Sequence, residues 1–137
     1  MASKGQQTGM RGVFLVAAEL VAQGYIVSTT SRNAMGADLL VTDQECKRAF
    51  SVQVKTNGRP ASFWLLGNKA KAVASTSHIY VFVNLRKDGS ADYYVVPSKT
   101  LSQITNKQPV SNSRWPSFQK RDAEPYRNKW GCFETQE

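Results

Sequence analysis

Asp38, Gln53 and Lys55 are the residues whose types and spacing suit phosphate chemistry. Asp38 sits in Gly-Ala-Asp-Leu-Leu-Val-Thr-Asp (36–43), and Gln53 and Lys55 sit in Phe-Ser-Val-Gln-Val-Lys-Thr (50–56). The two short apolar runs are joined by a polar turn, Asp43-Gln44-Glu45-Cys46-Lys47-Arg48, and this pattern predicts a β-hairpin. Side chains alternate along a strand, so Gln53 and Lys55 share one face while Val52 and Val54 take the other. Asp38, at the start of the neighbouring strand, reaches the same end of the hairpin. Phosphodiester hydrolysis needs a hard cation, a placed water and a positive charge beside the developing oxyanion. A carboxylate with an amide or main-chain carbonyl offers oxygen ligands for magnesium. The ion lowers the pKa of a bound water, and a lysine beside it stabilises the transition state. Nucleic acid is thus the expected partner and phosphodiester cleavage the expected chemistry. The competing reading of Asp38 and Lys55 is a cross-strand ion pair on an exposed edge, which contributes little.

The charge distribution agrees with a polyanionic partner. The net charge is +8, but residues 1–46 carry three basic and four acidic groups, residues 47–97 eight and two, and residues 98–137 seven and four. The excess begins where the Gln-Val-Lys strand begins. Basic surface beside a candidate site favours nucleic acid, although a solubility charge would look similar. Arg59, Lys69 and Lys71 follow the motif strand, and Arg114 opens a stretch where basic and aromatic residues interleave (Trp115, Phe118, Lys120, Arg121, Tyr126, Arg127, Lys129, Trp130). These four basic residues are the expected nucleic-acid contacts. The aromatics are expected mainly to pack the tail onto the sheet.

The elements that must position these residues follow from periodicity. Residues 1–7 are polar and expected to be a flexible lead-in, with residues 8–137 forming one domain. Thr8 is placed to cap a helix running to about Gln23, with Val13, Val16, Ala17 and Leu20 on one stripe and Gly24 just past its end. Residues 25–30 read as a strand, 31–36 as a loop, and 38–42 with 49–56 as the hairpin. Ser62–Leu66 reads as a short strand or an anchoring loop, and Asn68–Ser75 as a short helix. Ile79–Leu85 is a continuous apolar run and so a central strand. Lys87-Asp88-Gly89-Ser90 is a hairpin turn leading to a strand at Tyr93–Val96 that Pro97 stops. Ser98 is expected to cap a helix to about Lys107. Residues 109–119 read as irregular, and the tail from Lys120 as a helix interrupted near Pro125. One mixed sheet flanked by helices, an α/β architecture, is the result.

With this order of elements, the chain resembles the PD-(D/E)XK, restriction-endonuclease-like nucleases, in particular their Holliday-junction-resolvase-like branch. The resemblance covers the first two-thirds of the chain. It rests on the opening helix with Gly12 and Val16-Ala17-Ala18-Glu19-Leu20, on Gly24-Tyr25, on Gly36-Ala37-Asp38, and on Gln53-Val54-Lys55. It implies that Asp38 is a metal ligand, Gln53 occupies the second ligand position, Val54 gives a carbonyl, and Lys55 is the catalytic lysine. It further implies one or two weakly bound magnesium or manganese ions and a DNA substrate ahead of RNA. A homodimer fits nucleases that cut two strands.

The chain departs from that pattern in two ways. Gln53 stands where many relatives carry Glu or Asp. Relatives with Gln there usually add a Glu after a glycine on the first helix, whereas here Val13 follows Gly12. Glu19, the nearest helical carboxylate, is about 9 Å further along the axis and about 120° around it. A catalytically degenerate nucleic-acid-binding domain of the same fold, one that needs a partner, is therefore the alternative.

No apolar run approaches the roughly 20 residues of a membrane helix, and no secretory leader is visible. Cys46 and Cys132 lack a zinc-ligand spacing, so a cytoplasmic setting with reduced thiols is expected. His78, the lone histidine, is expected at the boundary of a buried strand rather than as a general base. Trp64 is expected to anchor its loop.

Overall fold

The computed structural model describes residues 3–31, 37–66, 75–106 and 116–134. Helix α1 spans Lys4–Ala22 with Ser3 as its cap, five residues earlier than the Thr8 cap predicted. Ser3 accepts Gln6 N–H at 3.2 Å through its hydroxyl, and Gln6 returns its side-chain oxygen to Ser3 N–H at 2.9 Å. This reciprocal pair satisfies two donors of the first turn, and Lys4–Gln7 form the first turn of the helix. Gly24 ends the helix with φ of 96°, the left-handed conformation that glycine adopts without strain.

Five strands form the main sheet: β1 (Ile26–Thr29), β2 (Leu39–Thr42), β3 (Ala49–Asn57), β5 (His78–Leu85) and β6 (Ala91–Pro97), in the order β1-β2-β3-β5-β6. All neighbours are antiparallel except β3 and β5, which run parallel from Ser51↔His78 to Asn57↔Asn84. Every residue of β5 is buried, as its unbroken apolar run predicts for a strand covered on both faces.

One face carries Phe50, Val52, Val54, Ile79, Val81 and Val83 against Val16 and Leu20 of α1. Phe133 closes this core from a 3-10 turn at Trp130–Phe133, edge-on to Phe50 at 5.2 Å between ring centroids. Gly12 lets α1 sit directly on β3, since a Cβ there would lie 1.8 Å from Thr56 Oγ1.

The other face carries Tyr80, Phe82, Tyr94 and Val96. Helix α2 (Ser98–Asn106) and a small second sheet cover it, the latter made of β4 (Phe63–Leu65) and β7 (Ser117–Gln119). Trp64 is buried between Phe82, Tyr94 and Phe118 and donates Nε1–H to Val83 C=O at 3.0 Å. It is the anchor its sequence position suggested.

Residues 117–119, expected to be irregular, therefore pair in a strand. Their partner lies more than fifty residues away (Phe63↔Gln119, Trp64↔Phe118, Leu65↔Ser117). Ser98 opens α2. It accepts Ser75 N–H at 2.8 Å and donates to Ser75 C=O at 2.7 Å, tying α2 to the approach of β5. The tail is a single turn of helix, α3 (Lys120–Ala123), followed by a 3-10 turn at Glu124–Tyr126 that contains Pro125. The helix expected over 68–75 falls almost wholly outside the described residues. No described helix is long and apolar enough to cross a membrane.

Candidate active site

The hairpin of β2 and β3 opens into a fork at its end. Its last cross-strand pair is Leu39↔Val52, and beyond it β3 runs on for five residues without β2 beside it. Asp38 stands at the crotch of this fork and is held on three sides. Its N–H donates to Val52 C=O at 2.7 Å, and its C=O accepts Thr30 N–H at 3.0 Å. Its Oδ2 accepts Val54 N–H at 2.8 Å. The carboxylate thus stands in for the carbonyl that a longer β2 would have offered. Residues two apart on a strand send their main-chain groups to the same edge, so Val54 C=O also points into the fork.

Gln53 is on the opposite face of β3 from Val54, opposite Tyr80, and Lys55 follows it opposite Phe82. Both side chains are half-buried, and neither has a hydrogen bond or ion pair to a described residue. The described ion pairs join Lys47 to Glu45, Asp92 to Arg86 and Arg127, and Glu124 to Lys120 and Arg127. None joins Asp38 to Lys55, so the cross-strand ion pair does not form.

A depression of about 520 Å³ at the fork brings Asp38, Gln53 and Val54 together with Met10 and Val13 of α1 and Thr30 of the β1 end. Lys55 opens instead onto an adjoining depression of about 490 Å³, which it shares with Arg59, Asn57, Phe63 and Leu65. The structure thus gathers the aspartate, amide and carbonyl in one hollow and the lysine and arginine in the next, along a single strand. Lys69, Lys71 and Arg114 lie outside the described residues.

Val13 lines the same hollow as Asp38, so the helix offers an apolar side chain there. Glu19 does not line that hollow. Its charge acts instead on Tyr93 of β6, at the other end of the sheet, where burial first and then Glu19 raise the tyrosine pKa. Among the described residues no three of His, Cys, Asp and Glu gather as a metal cluster. The donor set at the fork is therefore one carboxylate, one amide oxygen and one main-chain carbonyl. These hard oxygens match magnesium or manganese in kind. Magnesium also keeps several waters and is usually held by only one or two carboxylates with substrate phosphates. The set thus fits one divalent ion with a low protein charge.

Sequence reasoning missed the Val54 clamp. The sum of the hairpin register carried it, because pairing Leu39 with Val52 leaves Asp38 facing the next stretch of β3. His78 opens β5 and is buried, with Nδ1 at 2.5 Å from Ser51 Oγ and its edge against Tyr80. Burial holds its imidazole below the ordinary histidine pKa, which matches a boundary residue. The aromatics of the tail mostly pack, as expected: Phe118 is buried, and Trp130 lies against Tyr93 and Phe133. Arg127 is occupied structurally, bonding Asp92 at 2.7 Å and the Tyr94 hydroxyl at 3.2 Å.

No family model matches this chain, and no curated protein matches it. Solved structures do. The bacterial homing endonuclease I-Ssp6803I superposes with a TM-score of 0.59 at 16% identity, covering 98% of this chain and 94% of the other. A Holliday junction resolvase, Hjc of the archaeal hyperthermophile Archaeoglobus fulgidus, superposes with a TM-score of 0.56 at 9% identity, covering 90% and 92%. At these identities the likeness speaks to architecture: the fold of this chain is the restriction-endonuclease-like nuclease fold.

Proposed function

We propose that this protein is a DNA endonuclease that hydrolyses phosphodiester bonds with one bound magnesium or manganese ion. The observation that carries this reading is the fork. Asp38 is fixed there by Val54 N–H, with Gln53 in the same hollow and Lys55 one step along the strand. Asp38, the Gln53 amide oxygen and Val54 C=O would hold the ion, which when bound supplies an acidified water and neutralises phosphoryl charge. The fixed carboxylate needs no reorganisation on loading, because its second oxygen is already engaged. Lys55 would donate to the phosphate as charge develops. Arg59, in the hollow beyond, would hold a neighbouring phosphate and set the register of the strand.

A second reading is favoured by Val13. With an apolar wall where a further carboxylate could stand, the same surface would bind DNA without cutting it. The test is cleavage of supercoiled, linear and branched DNA with magnesium or manganese, alongside gel-shift binding. Cleavage by the wild type that is lost in Asp38→Asn and in Lys55→Ala supports the enzyme. Binding without cleavage, with turnover gained on Val13→Glu, supports the second reading. Equal cleavage by wild type, Asp38→Asn and Lys55→Ala overturns the assignment of the site.

A further inference from the structure

The β4–β7 ribbon turns one face inward and one outward. Trp64 and Phe118 are a cross-strand pair and are buried. Alternation then sends Phe63, Leu65, Ser117 and Gln119 outward. Phe63 is 44% exposed and Leu65 57%. Single exposed apolar residues are ordinary. Here two lie on one face, on backbone that is firmly held.

Asn57 donates to Phe63 C=O at 2.9 Å and to Asn84 Oδ1 at 2.9 Å, and Asn84 donates to Ala61 C=O at 3.1 Å. Lys120 N–H reaches Ser62 C=O at 2.8 Å, and Leu66 N–H reaches Pro116 C=O at 2.8 Å. The ring of Phe63 is therefore presented on a rigid shelf. Lys55 and Arg59 line the same depression, and among the described residues no carboxylate does. Lys120 and Arg121 follow directly at the end of β7.

An apolar ring beside cations suits a ligand that carries both a flat face and negative charge along its length. We infer that this shelf is a stacking platform for an unpaired DNA base, with Phe63 under the base and Lys55 and Arg59 on the flanking phosphates. Bases in an intact duplex have their faces covered by their neighbours, so the platform selects single-stranded, gapped or branched DNA. Leu65, about 7 Å further along the strand, lies within reach of the next base. The inference rests on DNA being the ligand, but not on its being cut.

The test is equilibrium binding by fluorescence anisotropy in EDTA. The probes are a single strand, a duplex of the same length and a four-way junction, with 2-aminopurine placed along the single strand to report stacking. Phe63→Ala should weaken single-strand and junction binding roughly 5- to 150-fold, the range that loss of one base–aromatic stack gives. It should also remove 2-aminopurine quenching and leave duplex binding unchanged. Phe63→Trp should restore both signals. Because the side chain is half in solvent, circular dichroism of Phe63→Ala should match the wild type. Single-strand binding unchanged in Phe63→Ala would overturn the platform, as would wild-type binding to duplex alone, although that outcome leaves a DNA function standing. Failure to bind any probe would overturn both. A dimer that becomes monomeric on combined Phe63→Ala and Leu65→Ala would overturn the platform and assign this face to a second copy of the chain.

Discussion

Asparagine and alanine at position 38 should separate two tasks of one carboxylate. Asp38 Oδ2 accepts Val54 N–H at 2.8 Å in a part-buried bond, and Val54 as a residue is 8% exposed. Alanine leaves it unpaired. The cost of an unsatisfied buried donor is about 1–3 kcal/mol, and bonds to a charged acceptor lie toward the upper end. For a chain of this length that corresponds to a loss of roughly 3–15 °C in Tm. Asparagine keeps a carbonyl oxygen in the same place, so it should lose less than about 1 kcal/mol. It does remove the only negative charge of the donor set. If that charge retains the ion, several kcal/mol of transition-state stabilisation go with it, at least about a hundredfold in rate. Urea denaturation measures the first quantity, and nicking of supercoiled DNA measures the second. The expected pattern is a stable, inactive Asp38→Asn and a destabilised, inactive Asp38→Ala. Asp38→Ala as stable as the wild type would refute the clamp. Asp38→Asn cutting at more than a tenth of the wild-type rate would refute the ligand role.

Gly12→Ala should destabilise the protein by about 1–3 kcal/mol, although alanine is the better helix former by about 1 kcal/mol. The new Cβ would lie 1.8 Å from Thr56 Oγ1 and 2.8 Å from its Cβ, so rotating the hydroxyl does not clear it. A double-mutant cycle with Thr56→Gly in urea should recover most of the loss. His78, held below its ordinary pKa by burial, should make stability fall as pH drops below about 6.5, since the unfolded chain then takes up a proton that the folded one refuses. The slope is at most about 1.4 kcal/mol per pH unit, and His78→Gln should flatten it between pH 6.5 and 5. Burial pushes the Cys132 thiol up to about 12, whereas Cys46 is exposed. A thiol reagent at pH 8 should therefore label one cysteine rapidly in the native protein and two in urea.

The parts of the fold legible in the sequence are those whose cause is local. The stripe through Val16 and Leu20, the glycine after α1, and the turn at Lys87–Ser90 each state their element within a few residues. The unbroken run of β5 likewise announces its double burial. Pairing of β4 with β7 is not legible, because each strand is three residues long and is held by contacts far apart in sequence, Trp64 with Phe118 among them. The start of α1 is set by Ser3 rather than Thr8, because the reciprocal Ser3–Gln6 pair caps the helix there. At the site, Asp38, Gln53 and Val54 line one hollow. The division of Gln53 and Lys55 between adjoining hollows was hidden, since it depends on the shelf that Asn57 and Asn84 build. Asp38's main-chain service to Val54 was hidden as well, because residue types alone do not say where a hairpin stops pairing.

The fork also bears on how such a site would decay over generations. A lineage that abandons catalysis no longer needs Gln53 or Lys55, which bond no described residue, and neutral substitution would erode both. Asp38 would persist regardless, because the sheet loses a hydrogen bond without it. In this chain, loss of Gln53 or Lys55 would therefore report on the proposed chemistry, whereas retention of Asp38 would not, since Asp38 also serves the sheet. This chain retains all three.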